Sequence, residues 1–214
     1  GKINVFAGAN INQRKSITYS NTERYNTFEE PQTNIFQVDT PINNNQFLYG
    51  NGGIDYFVNN RNTITLSGSY TQGKFNSTDK LFLTTDTLVD AGISSSEAIR
   101  NTESFRQFHN AGGALIHKHI FPKERKTMSA DVNYNKSKND NNSNYLTQYY
   151  DTQENPIGTL GQQQQEGGGS NRYITLQSDY VDPITEDMQV EAGVRAALRN
   201  FTSQNEVSVF DDSL

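Results

Sequence analysis

The sequence predicts an all-β protein, built as an antiparallel up-and-down meander of about seven long strands. Apolar and polar residues alternate with a period of two over stretches of about 10 to 14 residues. Pairs of these stretches are joined by very short turns, and long segments rich in Asn, Ser and Gly separate the pairs. The clearest pair lies at 178–195, where two alternating stretches flank Pro183.

The composition excludes several classes of protein. Hydrophobic residues make up 33% of the 214 residues and the mean hydropathy is -0.78, yet aromatic residues reach 11%. Disordered chains are usually poor in aromatic residues, whereas a wall one residue thick is polar on average because every second side chain faces water. The net charge is -6 without a dense run of Lys or Arg, so we expect no nucleic-acid partner.

Cysteine and long apolar runs are both missing from the sequence. The lack of cysteine excludes disulfides and thiolate metal sites. A membrane helix needs about 20 consecutive apolar residues, so strands are the only means by which this chain could cross a bilayer.

The first strand and the first hairpin lie in the N-terminal third. Apolar residues occupy alternate positions from Ile3 to Ile11, and only Phe6 breaks the pattern. A hairpin is predicted over about 46–75, with its turn at 59–61, because Asn tolerates a positive φ at little cost.

Two further hairpins are predicted over about 108–137 and 172–201, with turns at 122–126 and 182–187. Between the hairpins we expect long polar loops at about 15–45, 76–107 and 138–171, whose low-complexity polar sequence needs no packed core. The sequence begins inside a strand pattern and stops in a polar stretch at 211–214, so we expect it to be a piece of a longer chain.

The length of the strands predicts a transmembrane β-barrel. Strands of 10 to 14 residues tilted by about 40° span the roughly 25 Å apolar band of an outer membrane, whereas globular strands average about 5 to 6 residues. Lipid cannot hydrogen-bond a backbone, so the sheet must close. We therefore expect residues 1–214 to form one partial barrel in the outer membrane, with the short turns on the periplasmic side and the long loops outside.

In such a wall the apolar face meets lipid and the polar face meets a wet lumen. A charged side chain that faces hydrocarbon would cost a few kcal/mol. We therefore expect the polar residues of the alternating pattern to face the lumen. The residues predicted to face the lumen are Asp131, Asn133, Asp179, Glu191, Arg195 and Arg199.

Tyrosines near predicted strand ends are expected to form aromatic girdles at the membrane surfaces. They are Tyr49, Tyr56, Tyr70, Tyr134, Tyr173 and Tyr180. His117 and His119 share a strand face but have no third ligand in sight, so we expect no metal and no cofactor. Because no nucleophile elbow, phosphate loop or zinc signature occurs, we expect no catalytic residues and no enzyme.

The segment Tyr180-Val-Asp-Pro-Ile-Thr-Glu-Asp-Met-Gln-Val-Glu-Ala-Gly-Val-Arg195 resembles the strand, turn and strand of the outer-membrane β-barrel family of TonB-dependent receptor-like proteins of Bacteroidetes. Residues 55–68 and 126–134 resemble other hairpins of that family. The resemblance implies a parent barrel of about 22 strands with a plug in its lumen. It also implies energised uptake of a bulky substrate, with the TonB system, the plug and the remainder of the barrel as partners.

Two alternatives remain open at this point. A soluble β-rich surface module for adhesion or binding would pack two sheets together, with Phe or Leu where Asp131, Asn133 and Asn135 stand. A passive barrel or pore would lack the plug and the coupling to TonB, and neither a plug nor a TonB box is recognisable in these residues.

Overall fold

The computed structural model describes residues 1–28 and 30–210, so Glu29 and the predicted polar end at 211–214 lie outside the described residues. All regular elements in the described ranges are β-strands, and none of these residues forms a helix that could span a membrane. The strands are β1 Ile3–Ile17, β2 Ser20–Asn26, β3 Thr33–Asp39, β4 Ile42–Asn59, β5 Asn62–Val89, β6 Gly92–Ile120, β7 Thr127–Tyr150, β8 Pro156–Pro183 and β9 Gln189–Phe210.

These strands form a single antiparallel sheet in the order β1-β4-β5-β6-β7-β8-β9. The small hairpin of β2 and β3 continues the sheet beyond β1 and β4, because β5 pairs with β4 through Thr78 and with β3 from Leu81 onward. The sheet is open, with β1 and β9 each bonded to one neighbour in the described chain. The predicted antiparallel meander is confirmed, with nine strands in place of about seven.

The three long polar loops predicted at 15–45, 76–107 and 138–171 are wrong, because strands fill most of these segments. β5 and β6 continue until they meet at Asp90 and Ala91, and the turn between β7 and β8 occupies only 151–155. Similarly, β9 reaches Phe210 and not about 201. A period of two marks a strand only where one face is apolar. In these extensions polar residues dominate and the apolar ones, such as Leu81, Phe82 and Leu83, fall on both faces, so the pattern could not reveal them.

The short turns at the other end of the sheet are confirmed. Asn59 closes the first turn, where its Oδ1 accepts hydrogen bonds from the backbone N–H groups of Arg61 and Asn62, each at 2.9 Å. In the last turn the backbone N–H of Ile184 donates to the carbonyl of Met188 at 2.8 Å.

A charged network joins the two neighbouring turns after β6 and after β8. The Nζ atoms of Lys123 and Lys126 each lie 2.8 Å from a carboxylate oxygen of Asp182, which also accepts a hydrogen bond from the Tyr180 hydroxyl at 2.9 Å. Lys126 Nζ lies 5.1 Å from the centre of the Phe121 ring. Both lysines of this turn thus share one carboxylate partner within the protein.

The sheet has no hydrophobic core. Ala98 is the only buried residue among the Ala, Val, Leu, Ile, Met, Phe and Tyr of the described ranges. The apolar side chains of β9 stay uncovered, with Val194 69% and Leu198 68% exposed. No second sheet packs against this one in the described residues, unlike the arrangement that the soluble module was expected to show.

Candidate functional site: the two faces of the wall

The register of the sheet assigns every side chain to one of two faces, because directly paired residues project to the same side. One face carries the apolar members of the alternating pattern on the seven strands β1 and β4 to β9. This face is called the apolar face. A row through its middle pairs, in order, Val5, Ile54, Leu66, Leu115, Val132, Leu176 and Ala196. The opposite side is called the polar face.

The apolar residues form a band that runs obliquely across the strands. Towards the strand extensions, the continuous apolar run of this face ends at Ile11 on β1 and at Leu198 on β9. The row of directly paired residues that starts at Leu198 ends on β1 at Ala7, which is four positions before Ile11. The residues between them in this row are Ile174, Tyr134, Gly113, Gly68 and Gly52. A band that shifts along the strands in this way means that the strands are tilted relative to it, as closure into a barrel requires.

The structure brings several of the predicted lumen residues together on the polar face. Asp131 and Arg195 lie in one row, with Gln177 between them. Asn133, the next residue on this face of β7, donates a hydrogen bond to Asp131. Gln177 donates to Asp179 at 2.7 Å. These side chains thus form two hydrogen-bonded pairs of an amide and a carboxylate on neighbouring strands.

The three predicted residues of β9 also lie on the polar face, but each has a neighbour of its own. Arg195 Nη2 donates to the Tyr173 hydroxyl at 3.4 Å, and Arg199 Nε donates to Asn171 Oδ1 at 2.9 Å. Glu191 Oε1 accepts a hydrogen bond from Gln189 at 2.6 Å. Neither arginine has a carboxylate within ion-pair distance in the described residues.

Four of the six tyrosines expected in aromatic girdles lie on the apolar face, as a girdle would require. Tyr70 and Tyr134 lie on the apolar face at the end of the band nearest the strand extensions, and Tyr56 and Tyr180 lie at the opposite end. The expectation is wrong for Tyr49 and Tyr173, which belong to the polar face. All six tyrosines were expected in girdles because they lie near predicted strand ends. The face of a residue is decided instead by whether its position along the strand is odd or even.

His117 and His119 do share a face, and it is the apolar one. A ring nitrogen of each lies within hydrogen-bond distance of Asn62 Oδ1, at 3.1 Å and 2.8 Å. No group of three or more His, Cys, Asp or Glu side chains in the described ranges could hold a metal ion. The histidines are hydrogen-bonded side chains at the short-turn end of the band.

Phe6, which broke the alternation of the first strand, lies on the polar face over Gly53. A methyl group at Gly53 would collide with the Phe6 ring and would lie 2.7 Å from the carbonyl oxygen of Leu66. Glycine is therefore needed where the ring crosses the neighbouring strand. Next to it, small side chains including Ser67, Ser69 and Gly112 leave a cavity of about 360 Å³.

A second group of aromatic residues on the polar face was missed by sequence reasoning. Phe108 lies across Gly73, with its ring centre 6.0 Å from that of Phe75 and 6.5 Å from that of Phe47. Phe47, Gly73 and Phe108 occupy one row of the sheet. The signal in the sequence is a glycine that lies directly opposite two aromatic residues on the polar face. This signal can be recognised only when the pairing register of the strands is known.

Comparison with known proteins gives a family for part of the chain. Residues 119–213 match a family described as the outer membrane protein beta-barrel family. No curated protein matches the sequence.

Solved structures of outer-membrane proteins give only very low similarity. The unliganded ferric citrate transporter FecA is 10% identical with a TM-score of 0.17, covering 95% of this chain and 40% of its own. The Escherichia coli ferric-catecholate import receptor Fiu is 6% identical with a TM-score of 0.17, covering 93% and 47%. The Pseudomonas putida toluene transporter TodX is 8% identical with a TM-score of 0.16, covering 94% and 88%. The chain spans less than half the length of FecA and Fiu.

Proposed function

We propose that this chain, whose residues 119–213 match the outer membrane protein beta-barrel family, forms a segment of the wall of a TonB-dependent receptor of the Bacteroidetes type that takes up a bulky substrate. The observation that carries the proposal is the contrast between the two faces of the sheet. One face is apolar over the band, and the other carries charged and amide side chains at the same level. Such a polar face must be covered by water or by hydrogen-bonding protein, as it would be in a lumen that holds a plug.

Residues 1–214 are then one partial barrel, completed by the remainder of the parent protein. The open edges of β1 and β9 need strand partners, because an unpaired backbone edge cannot be exposed to lipid. The similarity of Tyr180–Arg195 to hairpins of TonB-dependent receptor-like proteins supports this assignment. A plug and the TonB system would be the further partners.

In this role the polar face binds and guides and does not catalyse. Asp131, Asn133, Asp179, Glu191, Arg195 and Arg199 face the lumen, where hydrogen bonds within the wall hold their side chains in place. The two arginines, which have no carboxylate partner in the described wall, remain available to a plug or to an anionic group of the substrate.

The orientation of the wall can be tested by cysteine labelling, since this chain has no cysteine of its own. Arg195→Cys and Val194→Cys would be made singly in the full-length protein, in its outer membrane. We expect a water-soluble, membrane-impermeant thiol reagent to label Cys at 195 and not at 194, and a lipid-soluble maleimide to label Cys at 194. The reverse pattern would show that the polar face is turned outward.

The presence of a plug can be tested by conductance of the full-length protein in planar bilayers. A plugged receptor should show no steady open channel until urea unfolds the plug. A passive pore, the alternative from the sequence, would conduct as soon as it inserts, and this result would remove the TonB-dependent assignment while leaving the barrel itself intact. Co-purification with TonB through the full-length protein would complete the case for energised uptake.

A further inference from the structure

The apolar face changes character abruptly above the apolar band, on the side of the strand extensions. The upper rim is defined here as the first two apolar-face positions beyond the band on each of the seven strands that cross it. It contains five cations and, among these described positions, no Asp or Glu, although the whole chain has 24 acidic and 18 basic residues. The cations are Lys15, Lys74, Lys136, Lys138 and Arg172.

Two of these cations oppose each other directly. Lys136 of β7 pairs in register with Arg172 of β8, and both side chains are exposed. Like charges in directly opposed positions of a sheet are destabilising. Neither side chain has a hydrogen bond or an ion pair with any other described residue. The sheet therefore holds a concentrated positive charge that it does not neutralise itself.

The neighbours of this pair fix its depth relative to the membrane. Tyr134 and Ile174 are the same-face neighbours of Lys136 and Arg172 on the side of the apolar band, and the continuous band ends at these two residues on β7 and β8. The next cation outward, Lys138, is already paired with Asp140 at 3.1 Å. Lys136 and Arg172 thus lie where the hydrocarbon of a bilayer ends and its headgroups begin.

We propose that Lys136 and Arg172 bind a phosphate group of a glycolipid in the outer leaflet of the outer membrane. A guanidinium binds phosphate through two parallel hydrogen bonds, and a lysine extends its ammonium group to the headgroup level while its alkyl chain lies along apolar surface. One doubly charged phosphate monoester would neutralise both cations. Basic clusters at this depth bind anionic lipid headgroups in general.

The outer leaflet, and not the inner one, follows from the two ends of the sheet. The strands extend far beyond the apolar band at one end only, and in bacterial barrels the longer chain segments lie on the extracellular side. At the short-turn end, Lys123 and Lys126 both form ion pairs with Asp182, at 2.8 Å each. At the opposite end, Lys136 and Arg172 are left without such a partner, so the attraction for lipid phosphate is concentrated on the outer side.

The test is lipid binding by the full-length protein in detergent, followed by native mass spectrometry. Three probes would be titrated: lipid A with two phosphates, the same lipid A with both phosphates removed, and phosphatidylglycerol. The variant is Lys136→Gln with Arg172→Gln. The control is Lys118→Gln with Arg106→Gln, which removes the same charge from the polar face.

We expect wild-type protein to prefer bisphosphorylated lipid A over both other probes. The double variant should lose affinity for it by about tenfold or more, the scale of one lost charge-assisted hydrogen bond, while the control keeps wild-type affinity. Equal binding of dephosphorylated lipid A, or equal losses in variant and control, would overturn the proposal. Equal binding of phosphatidylglycerol would overturn the assignment to the outer-leaflet glycolipid. The comparison of the three lipids on wild-type protein needs no variant, so a variant that fails to fold does not block the test.

Discussion

The two halves of β7 have the same backbone partners and opposite chemistry. Near its start, Val132 lies on the apolar face and Asp131 on the polar face. Further along, Asn141 and Asn142 present amides to both faces, yet each is paired to β6 and β8 without a break. Strand pairing therefore continues where amphipathic alternation stops, and alternation records which solvent a face meets, not where a strand ends.

The same contrast extends to residues that disfavour strands. Gly167, Gly168 and Gly169 lie within β8, although glycine weakens a strand interior. Each is paired on both sides, with 139–141 of β7 and 203–205 of β9. Neighbouring strands supply the hydrogen bonds that the local sequence would not favour, because β propensity depends strongly on context.

The largest expected effect comes from a charge placed in the band. Leu176→Arg puts a guanidinium on the apolar face in the central row, and Gln162→Arg puts it on the same face of the same strand beyond the band. We expect Leu176→Arg to lower the free energy of unfolding in bilayers by about 2 to 4 kcal/mol. Gln162→Arg should stay within about 0.5 kcal/mol of wild type. Urea unfolding of the full-length protein in lipid vesicles measures both, and equal losses would remove the distinction between the two halves.

A smaller effect is expected from adding a methyl group at a close approach. Gly53→Ala, at the level of the band, places Cβ 2.7 Å from the Leu66 carbonyl and against the Phe6 ring, which should cost about 1 to 3 kcal/mol. Gly161→Ala, in the extension, meets its nearest atom at 3.5 Å and should be neutral or slightly stabilising. The temperature of the heat-induced gel shift compares the two variants. A loss of the same size in Gly161→Ala would argue against close packing at Phe6.

The smallest effect concerns the turn between β7 and β8. Asp151 accepts hydrogen bonds from the backbone N–H groups of Asn155 and Gln153, at 2.8 Å and 2.9 Å, and those bonds lower the pKa of its carboxyl group. Because the folded-state pKa lies below that of the unfolded chain, the stabilisation is present above the ordinary pKa and is lost as the pH falls through the lowered value.

Hydrogen exchange of the 151–155 amides, corrected for the intrinsic effect of pH, should therefore show protection that persists below the ordinary pKa of Asp and then falls. Asp151→Ala should lack this pH-dependent step. Protection that is unchanged in the variant would mean that strand pairing alone orders the turn.

The sequence was sufficient to predict the parts of the sheet in which one face is apolar and the other polar. The turns at Asn59 and Pro183, the antiparallel order and the face of Asp131 and Arg195 follow from alternation and turn chemistry. The extensions could not be predicted, because their few apolar residues fall on both faces and leave no period of two. The overlay of Phe108 on Gly73 also required the register between two strands, which depends on long-range pairing and not on either segment alone.

The extended strands also determine where proteases can cleave the outer part of the protein. A protease must bind its target as an unpaired segment, and backbone hydrogen-bonded on both sides is closed to it. In 62–183 the chain leaves the sheet on the extension side only at Asp90–Ala91 and at 151–155. Cleavage in this part of the extensions is thus confined to two narrow tips, and Asn- and Gln-rich sequence that resembles an easily digested loop is protected by its pairing.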